Sequence, residues 1–231
     1  MRLDKFICRS TALDRTQARA TITAGQVYVN NIVITDIAKQ VHENNQITLE
    51  GQPLVARPAR YLMFNKPAGT LCSHKDGAYP SIFNWLTMDE SAELHLVGRL
   101  DADTTGLVLL TDDGHWSYQL THPNYGCSKT YRVQLRDPLA ANTAQVFSQG
   151  LTLQGETKLT LPAQLQQVGA KEVRLTITEG RFHQVKRMFA AVGNKVVSLH
   201  REQIGKICLD VPVGKWRYLT QDEINNDSVK L

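Results

Sequence analysis

Leu3, Phe6 and Ile7 recur at helical spacing and predict a short helix with one buried face. Asp14 precedes a second run, 15–22, in which Ala18 and Ile22 share one face while Arg15 and Arg19 share another. Aspartate is a good N-cap because its carboxylate accepts the free amides of a helix's first turn. Gly25 supplies the left-handed stop that ends this helix. Residues 26–34 alternate around Asn30-Asn31, a pair that tolerates the positive φ of a tight turn, and so predict a β-hairpin. Arg57-Pro58-Ala59-Arg60 then reads as a linker.

After residue 61 the pattern changes to short runs of strand length. Strands are predicted near 61–65, 96–98, 107–111, 130–135, 160–166, 172–178, 196–200, 206–209 and 216–219. Helices are predicted near 81–86, 115–120, 142–148, 182–192 and 220–225. Many connections are too short for helical crossovers, so a mixed, mainly antiparallel sheet with flanking helices is expected. The fold class is therefore α+β. The first domain spans 1–56, with two helices and a hairpin; a linker covers 57–60, and a sheet domain covers 61–231.

Composition narrows the classes. Of 231 residues, 42% are apolar and 21% charged, which supports a buried core and argues against disorder. No apolar run approaches the ~20 residues of a membrane span. The charged start, Met1-Arg2-Leu3-Asp4-Lys5, is followed by no secretory apolar segment, so a cytoplasmic, non-membrane protein is expected. Cys8, Cys72, Cys127 and Cys208 form no C-x-x-C element, which speaks against a zinc ribbon or a dithiol redox site. A net charge of +4 is too mild to name a polyanion partner by itself. Its distribution says more. Residues 1–60 hold eight basic against five acidic side chains, and 171–206 hold eight against three. Between them lie Asp101, Asp103, Asp112 and Asp113. Such a pattern suits a polyanion held near a carboxylate, although an ordinary solvated surface explains the counts as well.

Asp101 is the main candidate for chemistry. It lies on a loop, 99–106, between two apolar strands, where Thr104, Thr105 and Gly106 can fix the backbone. Taken alone, such an aspartate is usually a turn former. Tyr131 sits in an alternating strand, where a tyrosine is usually core. In 182–192, Phe182, Val185, Met188, Phe189 and Val192 form an apolar helical face, with Lys186 beside it and Arg187 further round. The histidines show no metal-ligand spacing, and Asp112-Asp113 before Gly114 reads as a turn or helix cap.

Longer motifs sharpen these readings. Arg-Leu-Asp-Lys-Phe at 2–6, the Arg15/Arg19 pair and Gly-x-Val-x-Val-Asn at 25–30 resemble the S4 RNA-binding domain. Asp14 stands where that family often has Ser, and Asn31 where Gly is usual. Gly98-Arg99-Leu100-Asp101-x-x-Thr104-Thr105-Gly106-Leu107 resembles the signature of pseudouridine synthases. Asn65-Lys66-Pro67-x-Gly69, Lys129-Thr130-Tyr131-x-Val133 and Gly180-Arg181-x-His183-Gln184-Val185-Lys186-Arg187-Met188 extend the likeness, which is nearest to the RsuA type.

The resemblance implies isomerisation of a flipped-out uridine in 16S ribosomal RNA, free or within a small-subunit assembly intermediate, by a monomer. It assigns Asp101 as nucleophile or charge stabiliser, Lys186 as its cationic partner and Tyr131 as the residue stacked on uracil. Many relatives have Arg at the Lys186 position, and Arg187 is the second candidate for that partner. Val185 is expected to wall the other side of the base. Arg2, Lys5, Arg15, Arg19 and Arg187 are expected RNA contacts. Lys66, Arg99 and Arg181 are expected either to meet phosphate or to position loops. Because the reaction is an isomerisation, neither cofactor nor metal is called for. The competing readings are a non-catalytic ribosome-assembly protein, a synthase acting on large-subunit RNA, and a metal nuclease built on the four aspartates.

Overall fold

The computed structural model describes residues 1–88 and 93–225. The chain divides into two compact units, Met1–Pro58 and Ala59–Leu231.

In the first unit, helices α1 (Leu3–Ser10) and α2 (Arg15–Thr23) precede a four-stranded antiparallel sheet. Its strands are β1 (Val27–Val29), β2 (Ile32–Val33), β3 (Ile47–Leu49) and β4 (Gln52–Pro53), in the order β2-β1-β3-β4. Asp14 caps α2 in a reciprocal box with Gln17. Asn30 and Asn31 both take positive φ, 50° and 64°, as the hairpin requires. Leu3, Ile7, Ala18, Ile22, Val27 and Ile47 form the core. The second hairpin, β3–β4, is not expected from the sequence. Its strands are too short to show a period, and its turn is the less distinctive Glu50-Gly51, at φ 51° and 79°.

The second unit contains β5 (Tyr61–Lys66), β6 (His95–Val97), β7 (Thr105–Thr111), α3 (Gly114–Thr121), β8 (Lys129–Leu135) and α4 (Thr143–Gln149). It continues with β9 (Gln164–Gly169), β10 (Glu172–Ile177), α5 (Gln184–Ala191), β11 (Val196–Ile204), β12 (Ile207–Cys208), β13 (Trp216–Tyr218) and α6 (Gln221–Ile224). Seven strands run β13-β5-β7-β11-β8-β10-β9, with β6 on β7 and β12 on β11. Among the described strands the pairings are antiparallel except β7–β11, where His200 faces Thr105 and Arg201 faces Gly106. The sheet is thus mixed and mainly antiparallel.

The apolar run of β7 follows from burial on both faces. Leu107 and Leu109 pack with Met63, Trp116 and Leu120, whereas Val108 and Leu110 pack with Leu62, Phe64, Ile82 and Phe83. Across the parallel seam, Val133, Leu175, Phe147, Met188 and Phe189 make a third cluster beneath α4 and α5.

Several boundaries differ from expectation. The strand expected at 160–166 starts at Gln164, because Thr160 is paired with Leu151 and Pro162 has no amide to give. The helix expected at 81–86 is a single 3-10 turn, Ile82–Trp85. Arg60, within the stretch expected as a linker, is tied into the second unit: its side chain binds Asp112 and Glu93, and its carbonyl accepts the Thr111 hydroxyl.

Candidate active site

The Asp101 loop leaves the sheet beside the parallel seam, and Lys66 fixes it from below. This lysine ends β5 and is fully buried at 0% exposure. Its Nζ donates to the carbonyls of Pro67 and Ala102, each at 3.1 Å, and of Thr104 at 2.9 Å. Burial pulls its pKa below the usual lysine value. In this structure the Lys66 ammonium is spent on the loop's carbonyls. Gly69 N–H also donates to Ala102 O at 2.8 Å, and Leu100 N–H to Cys72 Sγ at 3.3 Å. Thr105 Oγ1 lies 2.8 Å from His200 Nδ1 across the seam.

The loop presents Asp101 to α5. Lys186 Nζ donates to Asp101 Oδ2 at 2.9 Å and to Asp103 Oδ1 at 2.7 Å. Burial works against this ammonium, but the two carboxylates outweigh it and hold its pKa above the usual value. The same bond draws the Asp103 carboxyl down. His183 Nε2 sits 3.2 Å from the other oxygen, Oδ1, of Asp101. His183 precedes α5 at φ 48°, and its ring stacks on Phe182 with centroids 3.7 Å apart. Arg187 points elsewhere, to Glu156 Oε1 at 2.6 Å and to the carbonyls of Phe182 and Gln154.

Around Asp101 lies a cleft of about 820 Å³. Its walls include Arg99, Lys129, Tyr131, Phe182, His183, Val185, Lys186 and Arg201. Tyr131 on β8 and Val185 on α5 are both buried. Arg99 is exposed on this wall. Arg181 is occupied: it binds Glu179 at 3.0 Å, Glu156 at 2.6 Å and the carbonyls of Lys158 and Leu159. Gln184 completes the turn by accepting from Arg181 N–H and donating to Glu179. Arg181 and Arg187, expected near RNA, are therefore cross-links that shape the approach to α5. Glu156 between them is held below the usual carboxylate value by their hydrogen bonds.

The four aspartates do not share one site. Asp112 binds Arg60, while Asp113 caps α3 and accepts the Tyr61 hydroxyl. Among the described residues, no group of three or more His, Cys, Asp or Glu side chains could hold a metal ion.

In the first unit, the predicted basic row is organised by Asp4, whose side chain is 0% exposed. Arg2 donates to both of its oxygens, at 3.0 and 2.9 Å, and Arg19 Nε to Oδ2 at 3.2 Å. Arg15 Nε lies 3.7 Å from the same oxygen. Lys5 is exposed on α1.

Two contributors escape sequence reasoning. Arg201 is buried beside Tyr131, yet the expected strand stops at 200, short of it. The apolar pair Ile204 and Ile207 beyond the polar run His200–Gln203 is the signal that the strand continues. Asp103 was grouped with the acidic island, with no sign that it shares Lys186.

An aspartate held by an ammonium and a buried tyrosine thus line one basic cleft of a mixed sheet. Comparison with known proteins gives the particular group. The chain belongs to the RNA pseudouridylate synthase family, which it matches over residues 60–191, and it matches the S4 domain over 1–47. It is 47% identical over 226 residues to a ribosomal small subunit pseudouridine synthase A of Vibrio cholerae, covering 97% of this chain and 98% of that one. The protein of the same description from Vibrio vulnificus is 49% identical over 230 residues, with coverage of 98% and 99%. That of Escherichia coli (strain K12) is 46% identical over 227 residues, with coverage of 97% and 98%. A crystal structure described as a pseudouridylate synthase superposes with a TM-score of 0.72 at 44% identity, covering 98% of this chain and 99% of the other. No helix among the described residues is long and apolar enough to cross a membrane.

Proposed function

We propose that this chain converts a uridine of 16S ribosomal RNA to pseudouridine, with Asp101 at the sugar and Lys186 holding it in place. The observation that carries the reading is the Asp101–Lys186 pair at 2.9 Å on the wall of a cleft that also contains Tyr131. The small-subunit description shared by the full-length relatives supports the choice of RNA.

The target base must leave its stack to reach Asp101, because the carboxylate lies within a cleft. Lys186 orients the carboxylate by its 2.9 Å hydrogen bond while positive charge develops at C1′. The N1–C1′ bond breaks with its electron pair staying on the uracil. The uracil turns, C5 bonds to C1′, the C5 proton leaves and N1 gains a proton. Tyr131 and Val185 are the two walls between which the ring turns. Residues 1–56 hold RNA through Arg2, Lys5, Arg15 and Arg19, residues 57–60 link the modules, and 61–231 carry the chemistry. Arg99 on the cleft wall meets the RNA backbone.

Pseudouridine mapping on 16S RNA, naked and partly assembled, with wild-type and Asp101→Asn protein tests the reading. Modification by wild type and none by Asp101→Asn is expected. Equal modification by both would remove Asp101 from the chemistry. No modification by wild type on either substrate would remove the function.

A further inference from the structure

Arg201 is only 2% exposed, lines the Asp101 cleft and has no carboxylate within ion-pair distance among the described residues. Its Nε donates to Leu107 O at 2.8 Å, and Nη1 donates to the Tyr131 hydroxyl at 3.4 Å. Its guanidinium carbon lies 5.9 Å from the Tyr131 ring centroid. Nη2 is buried and has no hydrogen-bond partner among the described residues.

An uncompensated buried charge is costly, and most groups escape the cost by changing protonation. Lys66 and Lys129 in the same region feel that cost, since burial lowers the pKa of both. A guanidinium keeps its proton throughout the working pH range. The cleft therefore holds a permanent positive charge that the resting protein leaves unmatched. Lys186 does not duplicate it, because Asp101 and Asp103 already neutralise that ammonium.

We propose that Arg201 stabilises the negative charge of the detached uracil, an inference that rests on the uridine isomerisation described above. When the N1–C1′ bond breaks, the bonding pair leaves the uracil as an anion spread over N1 and its carbonyl oxygens. Asp101 balances the electron-poor sugar, and Arg201 faces the anion from the Tyr131 side. When C5 bonds to C1′ and its proton moves to N1, the ring is neutral again and the stabilisation is withdrawn. The cation acts most strongly when the anion is present, and so it lowers the barrier rather than only binding substrate.

The test compares wild type, Arg201→Gln and Arg201→Lys in single turnovers on 16S RNA, with RNA affinity measured separately. A matching RNA with 5-fluorouridine at the target is the second substrate, scored by glycosidic cleavage. Fluorine withdraws electrons and stabilises the detached base, so cleavage depends less on an external cation. Arg201→Gln is expected to slow the turnover of uridine by about 100-fold or more. Its affinity for RNA should stay within about threefold, and its deficit should shrink on 5-fluorouridine. Arg201→Lys keeps a charge and should recover most of the rate. Should Arg201→Gln fail to fold, Arg201→Lys decides alone: any deficit it shows must be smaller on 5-fluorouridine. An Arg201→Gln rate equal to wild type, or a deficit of equal size on both substrates, overturns the proposal and leaves the isomerisation reading intact. No pseudouridine from wild type overturns both.

Discussion

Asp4 sets the charge of a whole face from inside the first unit. Its carboxylate binds Arg2 and Arg19, lies near Arg15 and accepts the Lys5 amide at 3.0 Å. Burial pushes its pKa up, but the hydrogen bonds from Arg2 and Arg19 outweigh burial and hold it below 3.8. A folded pKa below the unfolded one gives stability that is complete above the unfolded value and is lost as pH falls through the folded value. Asp4→Asn should therefore cost about 1–2 kcal/mol at neutral pH, and its gap to wild type should close as pH falls below about 4. Urea titrations of both proteins from neutrality to about pH 3 measure this, and a gap independent of pH would show that the charge contributes nothing. Such roles are hard to read in sequence, where Asp4 is only a counter-charge and Lys66 only a basic residue in a turn. Burial separates positioning lysines from phosphate-binding ones, and burial depends on strands far away in the chain. Asp101 stood out through the family resemblance of the 98–107 string; its loop alone reads as a turn.

At the scale of elements, the β7–β11 seam joins the two halves of the sheet and carries the site. Gly106 makes it possible. A Cβ there would lie 2.3 Å from the carbonyl oxygen and 2.7 Å from the amide nitrogen of Arg201, and the residue sits at φ 104°. Gly106→Ala must push β11 away or abandon the backbone conformation. The expected result is a loss of about 3 kcal/mol or more, with turnover lost as Arg201 and the Asp101 loop shift together. Thermal unfolding and single-turnover rates check this; a soluble variant with wild-type melting would mean that the seam has slack. Most strands were legible because alternating or continuous apolar runs reflect one or two buried faces. The seam was not. Its β11 partners are the polar residues His200 and Arg201, in a strand whose pairing with β8 shifts register between Arg201 and Gln203. A parallel pairing between residues so distant leaves no local pattern. The short β3–β4 hairpin was missed for a related reason: two or three residues carry no period.

For the whole molecule, the change of pattern at residue 61 showed two parts, while the net charge of +4 named no partner. What matters is how the basic groups are used. In the second unit Lys66, Arg181, Arg187 and Lys186 are tied to carbonyls and carboxylates, so most of the charge there shapes the cleft. In the first unit Arg15 and Arg19 keep 59% and 41% of their side chains exposed. Three arginines around one buried carboxylate leave a surplus of two positive charges, held at fixed spacing on helix surfaces. Counterion release then makes a distinct demand. If both α2 arginines meet phosphates, replacing them by Gln should lower the magnitude of the log-affinity against log-salt slope by roughly 1.4–1.8, about 0.7–0.9 for each lost contact. The Arg15→Gln/Arg19→Gln protein should need more RNA for half-maximal rate yet turn over bound RNA at the wild-type rate, because neither side chain belongs to the Asp101 cleft. RNA-binding titrations across a salt series, paired with single turnovers at saturating RNA, measure both quantities. An unchanged slope would take phosphate contact away from this helix. A slower turnover at saturation would mean that the row also aligns the target uridine, a duty that uniform phosphate attraction does not supply.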